Sequence, residues 1–144
     1  MQRWRLAIVM AVGLAMVLVA CSSSEDGGPD GGDGPALSGP AWARLAPADL
    51  QQMMEQEDVY LVNVHVPDEG DIPGTDATIP YTEITAHIDE MPTDGDPKLV
   101  LYCRSGNMST QAAQDLVDAG VTGFYELEGG FIAWNEAGLP FDAP

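Results

Sequence analysis

Three short apolar runs, over residues 59–64, 98–102 and 124–127, constrain this chain more than any other feature. The first is β-branched and apolar almost throughout, as a strand covered on both faces must be. Stretches with helical spacing lie between the runs. Leu50, Met53 and Met54 follow Pro47 and predict a short helix over residues 49–57. Thr82 is placed to cap a helix over residues 83–91, with Ile84, His87 and Ile88 along one face. Met108, Ala112, Leu116 and Ala119 repeat at helical spacing, Ala113 and Val117 widen the stripe, and Gly120 fits the C-cap. A last helix is expected after Gly129 and Gly130, through Ile132, Ala133 and Trp134, ending at Gly138 and Pro140. Residues 67–80 and 92–97, rich in Pro, Gly and Asp, read as loops. Strands alternating with helices predict an α/β domain with a mainly parallel central sheet flanked by helices.

The N-terminal part has a different character. Residues 1–20 read as a secretion signal. Arg3 and Arg5 supply the positive start, and the apolar run from Leu6 to Val19 suits a signal peptide better than a membrane span. Leu18-Val19-Ala20-Cys21 resembles the lipobox of bacterial lipoproteins. That resemblance implies cleavage before Cys21 and acylation of its thiol. The result would be a lipid-anchored protein on the extracytoplasmic face of a cell membrane, periplasmic or at the cell surface. Residues 21–40 are Ser, Gly, Asp and Pro with Glu25, and with only Ala36 and Leu37 as apolar side chains after Cys21, and so predict a disordered acidic tether. Asp26, Asp30 and Asp33 within it lack the ligand spacing of a calcium loop. The folded domain is expected over residues 41–144.

Charge excludes one class of partner. The chain has five Lys and Arg against 23 Asp and Glu, a net charge of −18. Beyond residue 20, three basic residues face all 23 acids, a net of −20. Nucleic-acid binding needs a basic stripe that such a chain does not have.

The chemistry concentrates in Cys103-Arg104-Ser105-Gly106-Asn107-Met108-Ser109, between the second apolar run and a helix. Unpaired backbone N–H groups of such a loop and of the first helical turn stabilise negative charge, and the helix dipole adds to them. The same field, with Arg104 beside it, favours a thiolate at Cys103. Gly106 supplies a conformation or a close approach that a Cβ would forbid. In an open parallel sheet, ligands bind at the carboxyl ends of the strands, which is where Cys103 falls.

Three blocks together resemble a single-domain rhodanese. Leu61-Val62-Asn63-Val64-His65 with Ile72-Pro73-Gly74 is similar to the family's first core strand and following loop. The Cys103–Ser109 segment is similar to its active-site loop. Leu127-Glu128-Gly129-Gly130-Phe131-Ile132-Ala133-Trp134 with Gly138-Leu139-Pro140 is similar to its C-terminal signature. The resemblance covers residues 44–142 and implies a sulfurtransferase. Cys103 would take a sulfane sulfur from a small sulfur-containing anion such as thiosulfate, become a persulfide, and pass the sulfur to cyanide, a thiol or a protein acceptor. Backbone amides from Arg104 to Ser109 would hold the terminal sulfur and the donor's oxygens, with Ser105, Gly106, Asn107, Met108 and Ser109 as binding residues. Arg104 could bind donor oxygens, point to solvent or pair with an acid. No metal and no cofactor is expected. The chain departs from the family at Asn63 and His65, where an Asp and an Arg are common, at Asp71 and Thr75, where His and Ala are common, and at Met108, where the family often has a basic or small polar residue.

Other chemistries fit less well. A phosphatase of the Cys-x5-Arg type needs Arg at the sixth residue after the cysteine, where this chain has Ser109. With Cys21 acylated, no second thiol remains to resolve a disulfide. His65 and His87 have no metal-ligand spacing. The alternative to turnover is a tethered module that binds or delivers persulfide sulfur.

Overall fold

Five consecutive residues, Leu99 to Cys103, spanning the second apolar run and the cysteine after it, are buried and lie in the middle of the sheet. Each fully buried Leu or Val contributes about 1.5–3 kcal/mol of transfer free energy, which favours placing such a strand where both faces are covered. The computed structural model describes residues 41–144; the secretion signal, Cys21 and the tether expected over residues 1–40 lie outside the described residues.

Strands β1 (Trp42–Leu45), β2 (Val59–Asn63), β3 (Thr75–Thr78), β4 (Lys98–Tyr102) and β5 (Phe124–Leu127) form one parallel sheet in the spatial order β1-β5-β4-β2-β3. Helices α1 (Pro47–Gln56), α2 (Asn107–Asp118) and α3 (Gly130–Glu136) and a 3₁₀ segment (Tyr81–Glu90) connect them. Alternation along β4 assigns its side chains to two cores. Leu99, Leu101 and Cys103 pack with Ala112, Ala113 and Leu116 of α2 and Ile84 of the 3₁₀ segment. Val100 and Tyr102 pack on the other face with Leu50 of α1 and Phe131 and Trp134 of α3. This is the α/β architecture, a parallel central sheet flanked by helices, expected from the three runs and the helical stretches between them.

Three local expectations differ. β1 and β3 are strands that the apolar pattern does not show, and β3 lies within residues 67–80, which read as loop. Both are four-residue edge strands, and β3 reads Thr-Asp-Ala-Thr because one of its edges is free. Its pairing with β2 is irregular between Leu61 and Val62, and the Asp76 carboxylate accepts the Leu61 amide at 2.8 Å. The predicted helix over residues 83–91 is instead a 3₁₀ segment that starts after Pro80, and Thr82 lies inside it without capping it. Thr82, Ile84, Thr85 and Ile88 are β-branched and lower the helix propensity there.

The sheet order places a switch point between β2 and β4. From β2 the chain moves outward to β3, and from β4 it moves to β5 on the other side. The loops leaving the carboxyl ends of β2 and β4 therefore diverge and leave a crevice.

Residues that depart from the family pattern brace the β2 side of that crevice. Asn63 donates through Nδ2 to the Gly70 carbonyl at 3.2 Å and to Asp71 Oδ1 at 2.9 Å, and its Oδ1 accepts the His65 amide at 2.9 Å. Tyr102 completes the network from β4. Its hydroxyl donates to Asp71 Oδ1 at 3.0 Å, accepts the Ile72 amide at 3.1 Å and lies 2.8 Å from Thr75 Oγ1.

Burial pushes the Tyr102 phenol well above its ordinary value; hydrogen bonds from Thr75 and Ile72 oppose the shift, and the Asp71 carboxylate adds to it. The folded protein thus holds this proton more tightly than the unfolded chain. Stability is full below about pH 10, where both states keep the proton, and falls as pH rises further, by up to about 1.4 kcal/mol per pH unit. Tyr102→Phe is expected to cost about 1–3 kcal/mol at neutral pH, because the Ile72 amide loses its partner, and to remove that alkaline fall. Urea unfolding of both proteins between about pH 8 and about pH 11 checks this.

Glycine is required at one helix start for a steric reason. At Gly130, φ is +60°, and a Cβ there would overlap the Cys103 carbonyl oxygen and the Arg104 backbone. Gly138 has φ +75° but no atom within 4 Å of its Cβ position. Gly138→Ala should cost about 1–2 kcal/mol from the left-handed conformation alone. Gly130→Ala adds overpacking of about 1–3 kcal/mol against backbone. Thermal unfolding of the two variants should rank them in that order.

Candidate active site

β4 ends at Tyr102, and the next side chain, Cys103, points to the α2 side, where only 1 % of the residue is exposed. The chain then turns through Arg104, Ser105 and Gly106. Gly106 has φ +96° and serves as N-cap of α2, its carbonyl accepting the Thr110 amide at 2.9 Å. This left-handed residue turns its own N–H back onto the sulfur, where it donates to Cys103 Sγ at 3.1 Å. Ser109, fully buried in the first turn of α2, brings its Oγ to 3.5 Å from Sγ. The sulfur thus sits inside the loop, at the amino end of a 12-residue helix whose dipole favours negative charge there.

A second element locks the loop from behind. Gly129 and Gly130 both have positive φ, +73° and +60°, and turn the chain so that α3 starts against the loop. The amides of Phe131 and Ile132 donate to the carbonyls of Cys103 and Arg104 at 2.9 and 3.0 Å. Two otherwise unpaired donors of the α3 amino end are thereby satisfied, and the two carbonyls at the start of the turn are fixed.

The remaining expected site residues divide by exposure. Ser105 and Asn107 are exposed, and Met108 is half-buried and packs against the α2-side core. Arg104 is exposed and pairs with an acid: its Nε lies 3.4 Å from Glu69 Oε2, across the crevice between the loops after β2 and β4. Glu69 Oε2 also lies 3.2 Å from His65 Nε2, and the His65 ring meets Phe131 of α3 edge-on, with centroids 5.6 Å apart. Of the three openings the sequence left for Arg104, the structure shows the acid pair.

Two residues at the site carry no motif signal. Glu126, only 1 % exposed, stands on β5 beside the loop, and Arg44 stands opposite it on β1. Glu126 Oε1 accepts hydrogen bonds from Ser109 at 2.8 Å and Thr110 at 2.7 Å, and Oε2 from Trp42 at 3.0 Å and Arg44 at 3.3 Å. A cavity of about 130 Å³ opens there, lined in part by Arg44, Ser105, Asn107, Glu126 and Glu128. The one available hint is an acid at the inward position two residues after Phe124 in an otherwise apolar strand. Among the described residues, no group of three or more His, Cys, Asp or Glu side chains is placed to hold a metal ion. His65 and His87 each face a single glutamate, Glu69 and Glu90.

A buried sulfur with an amide donor at the head of a helix can carry negative charge and act as a nucleophile on a small electrophile. Residues 46–137 match the rhodanese-like domain family. An uncharacterized protein of Synechocystis is 41 % identical over 98 residues, which cover 67 % of this chain and 54 % of that protein, so the chain spans about half of that relative's length. A sulfurtransferase of Allochromatium vinosum is 40 % identical over 97 residues, covering 65 % of this chain and 88 % of the relative. Among solved structures, a rhodanese-related protein of Thermoplasma volcanium superposes with a TM-score of 0.59 at 26 % identity, covering 69 % of this chain and 96 % of that one. Family match, relatives and site geometry agree: this chain belongs to the rhodanese-like domain family.

Proposed function

We propose that this protein is a membrane-anchored, extracytoplasmic sulfurtransferase that moves sulfane sulfur from a small thiosulfate-like donor to cyanide or a thiol through a persulfide on Cys103. The observation that carries this reading is the single cysteine of the described domain, held at the head of α2 with the Gly106 amide 3.1 Å from its sulfur. The thiolate attacks the outer sulfur of thiosulfate. A new S–S bond forms to Cys103, the bond to the sulfite group breaks, and sulfite leaves with the electron pair. An acceptor nucleophile then attacks the terminal sulfur and restores the thiolate. Charge on the terminal sulfur would be met by the loop amides and the first turn of α2, as in an oxyanion hole. The near-complete burial of Cys103 suits a donor of a few atoms. The sulfurtransferase relative supports the reaction class.

The anchoring half of the reading rests on the lipobox-like Leu18-Val19-Ala20-Cys21 and the acidic tether that follows it. A second reading, a module that carries persulfide sulfur to a protein with little turnover of its own, is favoured by one observation. The guanidinium of Arg104 is already engaged by Glu69, so recognition of an anionic donor falls to backbone amides.

Cyanide-dependent thiocyanate formation from thiosulfate, comparing the wild-type protein with Cys103→Ser, separates the two. The sulfurtransferase reading expects turnover in the wild type, loss to background in the variant, and a mass gain of one sulfur atom on Cys103 when the donor is supplied without acceptor. No turnover with the mass gain present selects the delivery module, and absence of both overturns the persulfide site. For the anchor, the full-length chain made in a bacterium should fractionate with membranes, and Cys21→Ala should move it to the soluble extracytoplasmic fraction. An unchanged distribution would overturn lipidation at Cys21.

A further inference from the structure

Glu126 is a buried carboxylate that the proposed reaction does not use. Of its four donors, Trp42 Nε1 and Arg44 Nε can only donate, and both meet Oε2. The Ser109 and Thr110 hydroxyls meet Oε1 at 2.8 and 2.7 Å. Four converging donors, one of them a guanidinium, belong to an ionised carboxylate. It also lies against the first turn of α2, where the helix dipole favours negative charge.

Ser109 is the only one of the four donors that also touches Cys103. Its hydroxyl has a single proton and three acceptors within reach: Glu126 Oε1 at 2.8 Å, the Gly106 carbonyl at 3.1 Å and Cys103 Sγ at 3.5 Å. The nearest acceptor is also the charged one, and charge-assisted hydrogen bonds are roughly twice as strong as neutral ones. The proton therefore goes to Glu126, and Ser109 turns lone pairs towards the sulfur. In that orientation Ser109 accepts a hydrogen bond from a thiol and opposes charge on a thiolate.

Resting on the sulfurtransferase reading, we propose that Glu126 is a positioning residue for Cys103, acting through the direction of the Ser109 hydroxyl. While Glu126 is ionised, Ser109 faces Sγ as an acceptor, and the Gly106 amide is left as the hydrogen-bond donor to the sulfur. The effect depends on the state of the site. In the empty thiolate the charge sits on Sγ, against the lone pairs of Ser109; in the persulfide it moves to the terminal sulfur, one bond away. The arrangement thus disfavours the empty thiolate relative to the loaded cysteine.

Other titratable or charged groups around the sulfur are Arg104 with Glu69 and His65 across the crevice, and Arg44 and Glu128 at the cavity. All are unchanged in the variants below. In Glu126→Gln, the carboxamide oxygen must face Trp42 and Arg44, so its NH₂ faces the two hydroxyls. Ser109 then accepts from Gln and is free to donate to Sγ.

The test is the pH dependence of Cys103 alkylation by iodoacetamide, followed by mass spectrometry on the folded protein. Glu126→Gln is expected to move the midpoint of the rate profile to lower pH by on the order of one unit. Ser109→Ala, which removes only the opposing oxygen, is also expected to lower it, by less. In the double variant the Glu126→Gln effect should shrink to less than half its size. An unmoved midpoint in Glu126→Gln, or a shift that keeps half or more of its size without Ser109, overturns the proposal. If Glu126→Gln does not fold, Ser109→Ala decides alone: a raised or unchanged midpoint would show that the hydroxyl already donates to the sulfur. Alkylation needs no sulfur donor, so this result and the thiocyanate assay can fail independently.

Discussion

The two hydrogen bonds from the Phe131 and Ile132 amides to the Cys103 and Arg104 carbonyls hold the site together. Strand β4 delivers the cysteine, and α2 supplies the field, but neither by itself orients the turn between them. The start of α3 does so by gripping two successive carbonyls, of Cys103 and Arg104, where the turn begins. That grip requires backbone within contact distance of backbone, which explains Gly130; Gly129 answers to its own positive φ and to the Ala133 side chain, which a Cβ there would meet at 2.6 Å. The segment at residues 127–134, distant in sequence from the cysteine, is therefore part of the same small assembly.

Around this assembly most buried polar groups are joined in chains, and His65 Nδ1 is left without a partner among the described residues. Asn63, Asp71, Thr75 and Tyr102 form one chain on the α3 side of the sheet, and Trp42, Arg44, Ser109, Thr110 and Glu126 form another on the α2 side. In a low-dielectric interior each member would cost about 1–3 kcal/mol if left unpaired. Asn63 and Asp71 depart from the family pattern, yet both are paired. The substitutions belong to a self-consistent local network that still braces the loop after β2.

Much of this was legible in the sequence because the core strands are apolar on both faces and the cysteine loop has a distinctive spacing. β2, β4, β5 and α2 fall where the runs and the helical stripe place them, to within a residue or so at each end. What escaped notice has physical reasons. β1 and β3 are edge strands of four residues that need no apolar run, and β3 is polar at three of its four positions. The 3₁₀ segment carries a helical stripe but too many β-branched residues for an α-helix. Glu126 looks like an ordinary surface acid until the pairing of β5 with β1 and β4 shows that it faces α2. Its partners Trp42, Arg44, Ser109 and Thr110 lie between 16 and 84 residues away in sequence, beyond the reach of any local pattern. The Arg104–Glu69 pair likewise depends on two loops that meet only because the sheet order reverses between β2 and β4.

Because all five strands run the same way, the sheet has two unlike ends. The chain enters the domain at Trp42, the amino end of β1, whereas Cys103 follows the carboxyl end of β4. With strands of four or five residues, the two ends are separated by about 15 Å, at roughly 3.3 Å per residue. Anything fixed to the chain upstream of Trp42, whether a bead, a fusion partner or a lipid bilayer, is joined to the end of the sheet away from the cysteine. The polarity of the sheet alone thus sets the reactive loop at the end opposite the one where the chain enters β1.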